Sequence, residues 1–118
     1  MTQFREPFPI LAVDDVAGAA RFYVDNLGFE QVYRFPPDGE PDFAFLKLEP
    51  IGIGLSKTHD AGKEMTLCVY TDDVDAAAAA LRASGADEIE PPADREWGER
   101  MATFRDPEGY LLQIFAKL

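Results

Sequence analysis

The sequence predicts an α+β fold: two paired βαβββ modules, 1–57 and 58–118, forming an open, cupped mixed sheet with a helix outside each half. Three observations carry this expectation. Ala12-Val13-Asp14-Asp15-Val16-Ala17-Gly18-Ala19-Ala20 recurs as Tyr70-Thr71-Asp72-Asp73-Val74-Asp75-Ala76-Ala77-Ala78, and the 118-residue chain is almost twice that offset of 58. Gly28 and Gly85 then close the two segments. Strand signals also outnumber helix signals, so each helix must cover one face of its own sheet. The uncovered faces are expected to meet around a shared concavity, the natural place for a ligand.

The first module opens with Phe8–Val13, an apolar run with Pro7 and Pro9 at its start, as an edge strand allows. Asp14 or Asp15 supplies a helix cap, and Val16, Ala19, Ala20, Tyr23 and Leu27 keep a helical period. Asn26 and Gly28 mark the helix end. Strands are expected at about Phe29–Phe35, Asp42–Glu49 and Ile51–Ser56. In the second module Thr66–Tyr70 is a strand, Asp73–Ser84 a helix and Gly85 its stop. Strands follow at about Ala86–Glu90, Arg100–Arg105 and Tyr110–Ala116. Asp106-Pro107-Glu108-Gly109 reads as a hairpin turn, and Pro36–Pro41 and Pro91–Glu99 as irregular loops.

Composition bounds the function. Hydrophobic residues make up 47% of the chain and aromatics 12%, which favours a packed core over disorder. The longest apolar run, Ala76–Leu81, is far short of a membrane span, and no basic-then-apolar leader is visible. The single cysteine, Cys68, forms no internal disulfide, which fits a reducing cytoplasm. Eleven Lys and Arg stand against 22 Asp and Glu, a net charge of −11. That balance disfavours nucleic acid and anionic membrane surfaces and is compatible with a cationic ligand, although solubility alone also explains it.

Val13-x-Asp15-Val16-x-x-Ala19-x-x-Phe22-Tyr23-x-x-x-Leu27-Gly28-Phe29, with Phe104-x-Asp106-Pro107-Glu108-Gly109-Tyr110, resembles the vicinal-oxygen-chelate superfamily. That superfamily includes glyoxalases, extradiol dioxygenases, fosfomycin-resistance enzymes and bleomycin-resistance proteins. The resemblance spans essentially the whole chain and implies the paired βαβββ architecture. It also implies metal-ligand positions on inward strand residues, which fall here on Phe8, Gly54, Thr66 and Gln113. Of these only Gln113 carries a useful donor, whereas a metal site needs three or four. The sole histidine, His59, lies in the loop after the fourth strand, so neither metal nor cofactor is expected.

Strand alternation then lines the concavity. Phe8 brings Ile10 inward, Thr66 brings Cys68, and Gln113 brings Leu111 and Phe115. Gly54 brings Gly52 and Ser56. Phe43, Phe45, Lys47 and Glu49 come from the third strand; Met101, Thr103 and Arg105 come from its counterpart. The candidate ligand-binding residues are Phe8, Phe43, Phe45, Ser56, Thr66, Trp97, Gln113 and Phe115. Each has a plainer reading. The apolar members could fill a collapsed core, Trp97 could anchor a loop, and Gly52 and Gly54 could mark a bend rather than leave room for a ligand. Cys68 reads as a small buried hydrophobe, and His59 beside Asp60 as a solvated loop pair. Asp87, Glu88, Glu90, Asp94, Glu96 and Glu99 form a solvated face or an anionic rim around Trp97.

The leading expectation is a metal-independent binding protein resembling the bleomycin-resistance branch. It would sequester a small organic ligand, with a cation compatible with its charge. The resemblance further implies a homodimer. The alternative is a diverged lyase or dioxygenase-like enzyme with a nonstandard site, and a regulatory or interaction domain is a third class.

Overall fold

The computed structural model describes residues 3, 5–57 and 65–118. The chain divides into two compact units, Met1–Gly62 and Lys63–Leu118. Each unit builds one four-stranded mixed sheet and one helix from the order β-α-β-β-β. No helix among the described residues is long and apolar enough to cross a membrane.

In the first unit β1 (Ile10–Val13), α1 (Val16–Leu27), β2 (Glu30–Phe35), β3 (Phe43–Leu48) and β4 (Ile51–Lys57) give the strand order β1-β4-β3-β2. β1 runs parallel to β4; the remaining pairs are antiparallel. β1 is an edge strand, as its flanking prolines require, but it starts at Ile10 rather than Phe8. Pro7 and Pro9 have no N–H to give a ladder, and only the Pro9 carbonyl joins in, accepting from Gly54 N at 2.8 Å.

The helix ends have local causes. Asp15 sits in extended backbone and its Oδ1 accepts the Gly18 N–H at 2.9 Å, satisfying one orphan donor of the first turn. Gly28 stops α1 at φ 78°, a left-handed conformation that costs glycine nothing. α1 buries Val16, Ala19, Ala20, Phe22 and Tyr23. These face the buried Leu11, Val13, Ala44, Leu46, Ile53 and Leu55, the alternate residues of β1, β3 and β4. Tyr23 is fully buried and meets Phe22 and Phe29 edge-on at 5.2 and 5.6 Å.

The second unit repeats the plan with β5 (Thr66–Tyr70), α2 (Val74–Ala83), β6 (Asp87–Asp94), β7 (Glu99–Arg105) and β8 (Leu111–Lys117), in the order β5-β8-β7-β6. Asp73 caps α2 through the Ala76 N–H at 3.0 Å. Asp106 is buried and gathers the Glu108 and Tyr110 N–H groups at 2.9 Å each, which locks the turn into β8.

One expected loop is largely strand. β6 does not stop at Glu90 but continues through Pro91 and Pro92 to Asp94. It can do so because it is an edge strand whose pairing with β7 shifts register between Glu88 and Ala93, so the missing proline donors break nothing. The turn shrinks to 95–98, closed by Arg95 N–H to Glu99 O at 2.7 Å and Gly98 N–H to Arg95 O at 3.1 Å. Trp97 therefore rides a tight hairpin tip rather than a long loop.

Two arginines tie α2 to that hairpin: Arg82 pairs with Glu88 at 3.0 Å, and Arg100 makes the second link. Arg100 grips both oxygens of Asp75 at 2.9 and 3.0 Å and reaches Asp94 with Nη1 at 3.0 Å. The hydrogen bonds from Arg100 hold the Asp75 carboxyl below its ordinary value. A depressed folded-state value means that this contribution is present above the ordinary carboxylate range and is lost as pH falls through the folded value. Asp75→Asn should therefore unfold at lower urea than the parent at neutral pH, by a small margin because the pair is exposed. The two midpoints should converge as pH falls through the depressed folded-state value of Asp75, below which its carboxyl is protonated. A gap that persists there would assign the effect to something other than the ion pair.

Candidate functional site

A helix covers one face of each sheet, and the other face carries the candidate site. In the first unit the β3–β4 ladder sets Phe43 opposite Ser56, Phe45 opposite Gly54 and Lys47 opposite Gly52. β2 adds Tyr33 beside Phe45 and Phe35 beside Phe43. Phe8 lies in the extended segment before β1 and packs edge-on against Phe45, with centroids 4.8 Å apart. Glu6, Phe8, Tyr33, Phe43 and Phe45 line a pocket of about 330 Å³. A second hollow of about 260 Å³ shares Glu6, Phe8 and Phe45 and is bounded by Lys47, Glu49 and Gly52. Glu6 has φ 55°, unusual for a residue with a side chain, and lines both hollows.

These aromatic rings are not a collapsed core. Phe8 is 46% exposed and Ile10 57%, while Phe43 and Phe45 are half-buried. The glycines of β4 have a different role from the one expected. A Cβ on Gly52 would fall well inside 3.0 Å of the Phe45 ring tip, and one on Gly54 would meet the Phe43 ring at 3.1 Å. The space they leave is occupied by this chain's own rings, which lie against the strand as the pocket wall. Lys47 pairs with Glu49 at 3.3 Å, so its charge is met locally.

In the second unit the uncovered face is a set of rows across β5, β8 and β7. One row is Tyr70, Phe115 and Met101; the next is Cys68, Gln113 and Thr103; the next is Thr66, Leu111 and Arg105. The Cys68 Sγ lies 3.8 Å from Gln113 Oε1. Cys68 is exposed, contrary to the buried role expected of it, because the alternation that hides Leu67 turns its neighbour outward. Thr103 is 3% exposed, and its hydroxyl has no hydrogen-bond partner among the described residues. Leaving such a group unpaired costs about 1–3 kcal/mol unless something bound to the face meets it. Arg105 donates to the Gly109 carbonyl at 2.8 Å, which holds its charge at the turn.

Trp97 is 63% exposed, so it anchors no core. Its indole Nε1 donates to Glu99 Oε1 at 2.9 Å, and Tyr70 donates its hydroxyl to the other oxygen at 2.5 Å. Tyr70 in turn leans on Phe115 at 5.7 Å. The expected anionic rim is only partly realised. Glu88, Glu90 and Asp94 are matched by Arg82, Arg95 and Arg100, respectively. Guanidinium groups so placed cancel much of the field those carboxylates would project.

Of the eight sequence candidates, Phe8, Phe43, Phe45 and Ser56 fall on the first uncovered face, and Thr66, Gln113 and Phe115 on the second, with Trp97 at the hairpin tip. Tyr33, Tyr70, Glu6 and Glu99 belong beside them. Tyr70 was available from the alternation Thr66, Cys68, Tyr70. Tyr33 was masked by the register shift between Gln31 and Tyr33. His59 lies outside the described residues.

The positions at which the superfamily resemblance implies metal ligands do not fit one. Phe8 presents a ring, Gly54 no side chain, Thr66 a lone hydroxyl, and Gln113 an amide beside a thiol. Among the described residues, no three of His, Cys, Asp or Glu gather into a possible metal site.

The family model described as Glyoxalase/Bleomycin resistance protein/Dioxygenase superfamily matches residues 7–114. The chain belongs to this superfamily. One relative is YraH of Bacillus subtilis (strain 168), an uncharacterized protein. It is 31% identical over 121 residues, covering 92% of this chain and 94% of that one. Among solved structures, TioX from Micromonospora sp. ML1 superposes with a TM-score of 0.81 at 27% identity, over 98% of this chain and 100% of that one. TnmS3, an antibiotic binding protein from Streptomyces sp. CB03234, superposes with a TM-score of 0.75 at 25% identity, over 100% of this chain and 99% of that one.

Two measurements test the geometry. Gly52→Ala should cost about 1–3 kcal/mol, the usual range for overpacking, because the new methyl drives Phe45 off the strand. In the background of Phe45→Leu the same change should cost much less; equal costs in the two backgrounds would separate the glycine from the ring. The hydrogen bond to Glu99 raises the Tyr70 phenol above its ordinary 10.0. An ultraviolet pH titration should therefore show a late-ionising tyrosine that Glu99→Gln returns toward ordinary behaviour. An unchanged titration curve would remove that hydrogen bond from solution.

Proposed function

We propose that this superfamily member binds and sequesters a small organic ligand without altering it and without metal chemistry, with a cation the better match to its charge. The observation that carries the reading is the aromatic pocket of about 330 Å³ on the uncovered face of the first sheet, with Glu6 among its lining residues. That volume is at the lower end of the range for organic-ligand sites. Phe8, Phe43 and Phe45 supply apolar contact and Ser56 a hydroxyl nearby; Thr66, Gln113, Phe115 and Trp97 play the same parts on the second face. The donor-poor residues at the metal positions support binding over catalysis. The likeness to TnmS3, described as an antibiotic binding protein, supports an antibiotic as the kind of ligand. We further propose that the protein works as a cytoplasmic homodimer, for which sedimentation equilibrium should return twice the chain mass.

A thermal-shift screen with cationic aromatic antibiotics and glycopeptides tests this. A true ligand at a hundredfold excess over its Kd should stabilise the protein by about 2.7 kcal/mol and be recovered unchanged. Phe45→Ala should weaken that shift, and chelator treatment should leave the unliganded melting temperature where it is. A melting temperature that falls with chelator and recovers with one divalent ion would replace this reading with a metal-dependent one. So would chemical conversion of the ligand.

A further inference from the structure

The second unit holds exposed aromatic rings around one carboxylate in a way that the core does not require. Glu99 receives the Tyr70 hydroxyl on Oε2 at 2.5 Å and the Trp97 indole N–H on Oε1 at 2.9 Å. Both donors are neutral, so they fix the carboxylate in place and leave its charge intact. Lys117 stands opposite Glu99 in the β7–β8 ladder, yet no ion pair joins them. The neighbouring Glu90 and Asp94 have arginine partners, which Glu99 lacks among the described residues.

The rings around this charge stay open to solvent. Tyr70 is 66% exposed and Trp97 63%. Phe115 is half-buried and supports Tyr70, their ring planes inclined at 38°. A cation approaching Glu99 would meet the carboxylate and, beside it, the exposed rings of Tyr70 and Trp97. An anion would be repelled by Glu99, and a neutral ring would gain only the aromatic contact. A primary ammonium is strongly hydrated and gives up water at a cost; a quaternised or ring nitrogen carries its charge under carbon and gives up little.

We propose that Tyr70, Trp97, Phe115 and Glu99 form a receptor for the cationic group of an organic ligand, and that this group is a quaternised or aromatic-ring nitrogen rather than a primary ammonium. The assignment rests on the ligand-binding reading above and gives it a charge and a place.

The test follows the Trp97 indole N–H resonance, the only one in the chain, during titration with 1-methyl-4-phenylpyridinium or with 4-phenylpyridine at pH 8, where the latter is neutral. The pyridinium should bind at least about tenfold more tightly than the neutral ring, and the difference should shrink with added salt. Glu99→Gln keeps one acceptor oxygen, which the Trp97 N–H can use, while its NH2 can donate to the Tyr70 hydroxyl oxygen. It also removes the charge, so it should erase most of that ratio while preserving 4-phenylpyridine affinity. Tyr70→Leu should weaken both probes, and benzyltrimethylammonium should outbind benzylammonium. Equal affinities for the charged and neutral rings, or an unchanged ratio in Glu99→Gln, overturn the proposal and leave the ligand-binding reading to the first unit's pocket. Pyridinium binding that depends on Glu99, alongside an antibiotic screen without a single hit, keeps the cation receptor and removes antibiotic sequestration. Stronger binding of benzylammonium than of its trimethylated form overturns the choice of nitrogen.

Discussion

One helix can cover only one face of a four-stranded sheet. Most of what is distinctive in this chain follows from having one helix per sheet, twice over. Strand alternation sends Leu11, Leu46, Ile53 and Leu55 beneath α1, and Leu67, Phe104, Leu112 and Ile114 to the α2 side. The residues between them have no helix to lie against. In the first unit the rings of Phe8, Tyr33, Phe43 and Phe45 remain partly accessible to solvent, clustered beside Glu6. Ordinary surfaces disperse aromatic residues, whereas here four of them are grouped beside a carboxylate, and the ligand-binding proposal rests on that grouping.

The architecture was legible because its signals are local and repeated. Asp15 and Asp73 cap helices at equivalent places, Gly28 and Gly85 follow the helix ends, and alternation assigns faces without knowledge of tertiary contacts. What escaped the sequence depended on partners distant in the chain. Pro91 and Pro92 argue for a loop until β6 is known to be an edge strand, where a missing donor is tolerated. Gly52 and Gly54 look like vacancies until the rings of Phe45 and Phe43 are seen to fill them. Glu99 reads as one acid in a crowded stretch; only the fold shows which carboxylates take arginines and which takes a phenol and an indole.

Charge in this protein is organised more finely than the net value of −11 suggests. Arg82, Arg95 and Arg100 are spent on acids of the second unit, joining α2 to the β6–β7 hairpin and bracing the hairpin itself. Lys47 and Arg105, the cations that would argue for an anionic ligand, are held by Glu49 and by a turn carbonyl. The residual negative potential is therefore set by position rather than by sum. Superfamily membership supplies the scaffold, whereas the character of the uncovered faces belongs to this chain's own side chains.

The consecutive prolines of β6 also bear on how the protein avoids its own kind. A sheet border normally presents a row of free N–H and C=O groups that can template another strand. On β6 two successive residues have no N–H, and register shifts interrupt the row on either side of Glu90. A second chain laid along this border would find gaps in the hydrogen-bond ladder where it most needs continuity. The prolines that disguised β6 as a loop thus also make its border a poorer template for another strand.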